Sequence, residues 1–295
     1  MKIRVLLIAF ITLVAFGLVA CGDGDRAVSR DAENGEDVAA ADETEETADT
    51  DDGFDVSSLE NGWYRAEEEF DGDADWRNIV MIEVSGGEIV DAKWTPASRT
   101  GGPDKYQYSV DGDYGMERVS QWPWHEQADA VVEHLLSTQD PYDIDFNEDG
   151  EADAISGATM TVDYFFELAQ QALSGSPAGM GQYQDGVYRG EGEPGDDWQD
   201  VVYMTVKDGY IISVFWAPEP MGDQGMNKYE YSEEGEYGME GASDWPWHEH
   251  ADAVARFVIE NQSIDGSGET DAVSGATISL GGFYAAASDA IAQAQ

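Results

Sequence analysis

The chain has a single cysteine, Cys21, in 295 residues, which excludes an intramolecular disulfide framework and a thiolate zinc site. Basic side chains are also scarce: 14 lysines and arginines stand against 62 aspartates and glutamates, a net charge of −48. Such a polyanion is no nucleic-acid binder, since each phosphate contact would begin from repulsion. Nor can it dock on anionic lipid through a basic patch. Disorder throughout is excluded as well, because 42% of the residues are hydrophobic and 11% aromatic. The excess acid therefore coats a surface, as suits a protein that must stay soluble in high salt. The length allows about two domains of ordinary size.

Residues 1–21 read as a sorting signal. Lys2 and Arg4 precede an apolar run from Val5 to Val19, short for a membrane span and suited to a signal-peptide core. The run ends in Leu18-Val19-Ala20-Cys21, which resembles a bacterial lipobox. That resemblance implies cleavage before Cys21 and a lipid on its thiol; an uncleaved N-terminal anchor is the alternative. Both readings place the remainder outside the cytoplasm, anchored to the cell membrane or, since Gly22 and not Asp follows the cysteine, to an outer membrane. Residues 22–55 carry 14 acids and two arginines with almost nothing apolar, and like charges extend such a chain into a tether. Residues 56–295 keep 48 acids against ten basic residues, so the folded part is acidic in its own right.

The rest is one unit used twice. Trp122-Pro-Trp-His-Glu126 returns as Trp245-Pro-Trp-His-Glu249, each followed by Ala-Asp-Ala-Val. Tyr114-Gly-Met-Glu117 returns as Tyr237-Gly-Met-Glu240, Lys105-Tyr106 as Lys228-Tyr229, and Trp76 and Trp94 as Trp198 and Trp216. A domain-sized repeat occurring twice is a duplication and no solenoid. The expected division is domain one at 56–174, a linker at 175–182 and domain two at 183–295. Ile79–Val84 with Glu88–Trp94, and Val201–Val206 with Tyr210–Trp216, read as β-hairpins about glycine turns. His125–Leu136 and His248–Ile259 show helical spacing, with Pro123 and Pro246 suited to the first helical position. Strands first and helices second argue α+β for each copy: a small antiparallel sheet packed with helices.

Asp153-Ala-Ile-Ser-Gly-Ala-Thr159 and Asp271-Ala-Val-Ser-Gly-Ala-Thr277 are the segments that carry chemistry. A Ser-Gly-Ala-Thr turn at a helix N-terminus offers free amides and the positive dipole end to a phosphate, and the threonine hydroxyl can accept a phosphoryl group. The plain alternative is a helix cap. The longer motif, with Thr161 or Ser279 two residues on, resembles the flavinylation motif of the FMN-binding domain family, whose members include respiratory carrier subunits and surface lipoproteins of extracellular electron transfer. The resemblance implies two FMN groups per chain. Each would be joined by phosphoester to Thr159 or Thr277 by an FAD:protein FMN transferase. It assigns Asp153 and Asp271 to magnesium-dependent transfer, and Ser156, Gly157, Ala158, Ser274, Gly275 and Ala276 to the turn. Where respiratory carriers often show Glu-Thr-Pro-Gly, this chain has Trp94-Thr-Pro-Ala97 and Trp216-Ala-Pro-Glu219.

Further signals are local. Trp122, Trp124, Trp245 and Trp247 suit either stacking on a flat flavin or packing between layers. His125 and His248 suit a hydrogen bond to flavin or phosphate, or a cap. His248-Glu-His250 is no metal pair, because the first copy has Gln127 at the second position. Asp145, Asn147 and Asp149 resemble the front of a calcium loop, but Ser156 occupies position twelve, so a solvated turn is the other reading. Gly190-Glu-Gly-Glu-Pro-Gly195 fits GxGxxG only literally: its glutamates would repel a pyrophosphate and a strand pattern follows. The expectation is a lipid-anchored extracytoplasmic electron carrier taking electrons from a membrane donor to an outside acceptor. The alternatives are a flavin-free surface lipoprotein and a reductase with non-covalent flavin.

Overall fold

The computed structural model describes residues 53–70, 74–116, 120–222, 225–239 and 243–295. The signal with Cys21, the tether up to residue 52, Glu117 and Glu240 lie outside them.

β1 (Gly62–Glu67), β3 (Ile79–Ser85) and β4 (Glu88–Trp94) form an antiparallel sheet in the order β1-β3-β4, and β2 (Trp76–Arg77) pairs with β5 (Ala97–Ser98). The helices α1 (Lys105–Val110), α2 (Trp124–Thr138) and α3 (Asp163–Leu173) follow. The second half repeats the plan, with β6 (Gly186–Pro194), β7 (Trp198–Lys207) and β8 (Tyr210–Trp216) in that order and β9 (Glu219–Pro220) on β7. Helices α4 (Lys228–Glu233), α5 (Trp247–Asn261) and α6 (Gly281–Gln293) complete it. The two halves are thus the tandem α+β units that the repeated motifs imply. Among the described residues, no helix is long and apolar enough to cross a membrane.

Local chemistry accounts for the hairpins. Gly86-Gly87 and Asp208-Gly209 join the central strands, all four with positive φ, as a type I′ turn requires. A register shift falls at Glu83/Val84 in one sheet and at the matching Thr205/Val206 in the other. Pro123 and Pro246 sit one residue earlier than expected, as N-caps of α2 and α5 with ψ near 160°, so Trp124 and Trp247 open the helices.

The repeated rare residues are largely core. Trp94 packs edge-on against Trp124 and lies against Phe165, and Trp216 does the same with Trp247 and Phe283. Lys105 and Lys228 lie over Trp124 and Trp247 at 5.1 and 4.6 Å.

The other sheet faces meet each other. Ile79, Ala97 and Ile212 form a small buried cluster, and Thr205 Oγ1 donates to the carbonyls of Gly101 and Gly102. The linker is bonded to both halves: the amides of Ala178 and Gly179 donate to the Trp63 carbonyl, and that of Gly181 to the Asp208 carbonyl.

Arg77 ties the halves as well. It is 3% exposed, donates to Glu67 and the Glu68 carbonyl, and reaches the Ile212 carbonyl at 2.8 Å. Burial works against the Glu67 charge, but the hydrogen bond from Arg65 and the charges of Arg77 and Arg65 hold its carboxyl below the ordinary range. The stability this contributes is complete above the unfolded carboxylate pKa and is lost as pH falls through the lowered one. Glu67→Gln leaves Arg77 buried and short of its counter-charge, so it should cost about 2–3 kcal/mol at neutral pH. Thermal melts of both chains should differ at pH 7 and converge in acid; a difference unchanged by acid would overturn the ionic account.

Candidate functional site

The two Ser-Gly-Ala-Thr segments adopt one geometry. The Ala158 amide donates to the Ile155 carbonyl and that of Ala276 to the Val273 carbonyl, each at 3.2 Å, and Ile155 and Val273 are buried anchors. Gly157 and Gly275 sit at φ +98° and +89°, where a side chain is strained, so this glycine is a requirement of the backbone. The turn leaves Thr159, Thr277, Asp153, Ser156, Asp271 and Ser274 exposed, with Ala158 half-buried and Ala276 buried.

A helix follows each turn, but three residues later than the phosphate-seat argument assumed. Val162 and Leu280 are the N-caps of α3 and α6, with no side-chain cap bond, so neither threonine is a cap. The Gly150 carbonyl already accepts from the amides of Val162 and Asp163 at 2.8 and 3.2 Å. In the first repeat the first amides of the helix are therefore taken, and the threonine hydroxyl is the exposed polar group at the end of the motif.

Beneath each threonine lies a buried polar side chain that the sequence reading set aside. Gln127 is 0% exposed and accepts from the Thr159 amide at 2.8 Å and the Thr159 hydroxyl at 3.3 Å. Its Nε2 donates to the Trp122 carbonyl and to Ser120 Oγ. At the same position of the second repeat His250, 1% exposed, contacts Ser243 Oγ at 2.8 Å and the Gly275 carbonyl at 3.0 Å. Ser120 and Ser243 stand 3.4 and 3.3 Å from the threonine hydroxyls. The serine two residues ahead of Trp-Pro-Trp-His-Glu in both copies was the available signal.

The four tryptophans divide by burial. Trp124 and Trp247 pack the core, buried against Trp94 and Trp216, and offer no face to a ligand. Trp122 and Trp245 are 48% and 41% exposed, and their amides donate to Ser120 and Ser243. His125 and His248 join helices: each ring Nδ1 meets a serine hydroxyl, Ser109 or Ser232, at 2.9 Å, and that hydroxyl accepts from the histidine's own amide.

Beside the second turn runs a groove of about 460 Å³ lined by Trp245, Glu249, Asp252, Arg256, Phe257 and Ser274. That size is in the range of small-molecule sites (about 300–1,000 Å³). Burial raises the Asp252 carboxyl above its ordinary range, against a hydrogen bond from Tyr229 and the charge of Arg99. Burial also raises the Tyr229 phenol, with the Asp252 charge adding to it. The position of Arg256 is Glu133 in the first repeat, so the two turns differ in nearby charge.

The loop of Asp145, Asn147 and Asp149 is closed on itself. Asn147 Oδ1 accepts from the amides of Asp149 and Glu151, and its Nδ2 donates to Glu151. No group of three or more acidic, histidine or cysteine side chains placed to hold a metal ion occurs among the described residues.

Two matched α+β halves, each presenting a hydroxyl on a glycine-shaped turn beside an exposed tryptophan, define a tandem ligand-carrying protein. The chain belongs to the FMN-binding domain family, whose profile matches residues 78–174 and 200–292, and it is a flavin-binding protein with two such domains. A protein of Clostridium thermocellum solved by NMR is 42% identical over 39% of this chain and 91% of its own, with a TM-score of 0.33. A Clostridium perfringens protein solved by crystallography is 25% identical over 39% of this chain and 87% of its own, with a TM-score of 0.31. No curated protein matches the chain. The residues fit FMN: an exposed hydroxyl in each repeat for its phosphate and, beside the second turn, a groove with Trp245 and Phe257 for its ring, where Arg256 lies among Glu249, Asp252 and Glu260.

Proposed function

We propose that the protein is a lipid-anchored, extracytoplasmic electron carrier holding FMN by phosphoester at Thr159 and at Thr277. The observation that carries this reading is the pair of exposed threonine hydroxyls at matched positions of two FMN-binding domains. Bound FMN supplies one- and two-electron redox chemistry; the chain supplies attachment, orientation and electrostatics.

Attachment is a redox-neutral group transfer. The threonine oxygen attacks the FMN phosphorus of flavin adenine dinucleotide, a P–O bond of the pyrophosphate breaks, AMP departs, and the hydroxyl proton goes to a base or to water. The transferase supplies the dinucleotide and the metal, with Asp153 and Asp271 exposed next to the acceptor turns. Covalent attachment suits a protein outside the cytoplasm, where a dissociated flavin is lost. The acidic tether lets the two domains travel between a membrane donor and an outside acceptor.

The test is the full chain exported together with a flavin transferase, then denatured in acid and washed. Flavin absorbance should stay with the polypeptide. Flavin released on denaturation would point to a reductase with non-covalent cofactor, and a colourless chain beside an active transferase would sink the carrier reading.

A further inference from the structure

The side chain beneath each threonine has a fixed sense in one repeat and a reversible one in the other. A carboxamide oxygen only accepts and its nitrogen only donates. Gln127 Oε1 therefore accepts the Thr159 proton at 3.3 Å at every pH, and Ser120, which accepts from Gln127 Nε2, stands 3.4 Å from Thr159 Oγ1 in a fixed sense.

In the second repeat the chain runs through Ser243. The Gly275 carbonyl can only accept, so the ring nitrogen 3.0 Å from it, Nδ1, carries a proton. The longer approach of the Thr277 amide to that nitrogen, 3.4 Å, is then a contact and no hydrogen bond. The neutral ring is left with Nε2 as an acceptor, 2.8 Å from Ser243 Oγ, which stands 3.3 Å from Thr277 Oγ1. The order is Thr277 to Ser243 to His250, and the Thr277 lone pairs face outward. Protonating Nε2 reverses it: the ring donates to Ser243, the Ser243 proton turns to Thr277 Oγ1, and the threonine presents a proton where it had presented a lone pair.

We propose that His250 is a positioning residue that, through Ser243, makes flavin attachment at Thr277 sensitive to pH, while Gln127 leaves attachment at Thr159 insensitive. This rests on the reading of both threonines as flavin acceptors. As the Oγ1–P bond forms and AMP leaves, the Thr277 proton passes to Ser243 and the serine's own proton to Nε2, a step open only to the neutral ring. Among the described residues the ring's partners are uncharged: Ser243, the Gly275 carbonyl and the Trp245 ring at 5.7 Å. Of the nearby acids, Glu249 on α5, Asp244 ahead of it and Asp271 on the turn are exposed, and Asp252 accepts from Tyr229. None forms an ion pair with His250 among the described residues.

The experiment is brief flavinylation of the full chain by transferase and FAD at several pH values, followed by digestion and mass quantification of the two threonine peptides. Taking the ratio of Thr277 to Thr159 product cancels the transferase's own pH dependence. The ratio should fall about fivefold from the alkaline to the acid end of the series. His250→Gln should keep the site active and flatten the ratio, and Gln127→His should bring the same fall to Thr159. A flat ratio in the unaltered chain, or a slope that survives His250→Gln, overturns the proposal. Flavin on neither threonine overturns the acceptor reading beneath it.

Discussion

Thr277→Ala should yield a chain carrying one FMN where the unaltered chain carries two, Thr159→Ala should lose the other, and the double variant should carry none. Intact mass of the exported chain reads this directly, as two, one or no additions of FMN less water. The effect is all-or-none because the substitution removes the acceptor oxygen itself. It should do little else: both threonines are exposed, and the turn is held by Ile155 or Val273 and by its glycine. Surface substitutions of this kind stay within about 0.5 kcal/mol, so melting should hardly move. Thr159→Ser and Thr277→Ser keep a hydroxyl and should retain flavin. Additions that persist in the double variant would place the attachment elsewhere.

The second large effect is structural. Gly190→Ala on β6 should destabilise the protein by about 3 kcal/mol or more, lowering the melting temperature by roughly 10 °C for a folded part of this size. A Cβ at Gly190 would lie 2.0 Å from the Ala286 carbonyl oxygen and 2.4 Å from the Ala290 nitrogen. Both are backbone of α6, which cannot step aside as a flexible side chain would. The first repeat differs at this contact: Ala66 stands at the matching strand position, and Leu168 and Ala172 of α3, in the same core, match Ala286 and Ala290 of α6. The same substitution in reverse, Ala66→Gly, should cost only about 1 kcal/mol. Melts of both variants check this pair; an unchanged Gly190→Ala chain would mean that α6 can shift outward freely.

The contrast also shows how far the sequence can be read. The hairpins were legible because Gly86-Gly87 and Asp208-Gly209 are turn residues between β-branched runs, and their limits agree with the structure to within a few residues. Helices α2 and α5 were legible from their apolar spacing, with their starts displaced by one residue at the prolines. The strands, by contrast, are nearly continuous apolar runs, and the reason is tertiary: Ile79 and Ile212 cover the second face of each sheet by meeting across the repeats.

Trp122 and Trp124, two residues apart, were indistinguishable as letters. The helix begins at Trp124, which turns that ring into the core and leaves Trp122 outside. The linker reads as a Gly-Ser-Pro joint, yet its amides are spent on both halves.

By itself the sequence determined that the chain is duplicated, that each copy is a strand-then-helix domain, and that Thr159 and Thr277 end a repeated seven-residue motif resembling one of flavin chemistry. These properties are local or repetitive: they reside in neighbouring residues, or in two segments compared with each other. The tertiary structure alone decided what lies under each threonine. Gln127 meets Thr159 across 32 positions of chain, and His250 meets Gly275 across 25. Only the packing of a helix against a later turn brings those partners within hydrogen-bond reach. A glutamine in place of a histidine looks like a failed metal pair when read along the chain. Buried beneath a hydroxyl, it is a side chain whose oxygen and nitrogen have fixed hydrogen-bonding roles where a histidine's ring nitrogens do not.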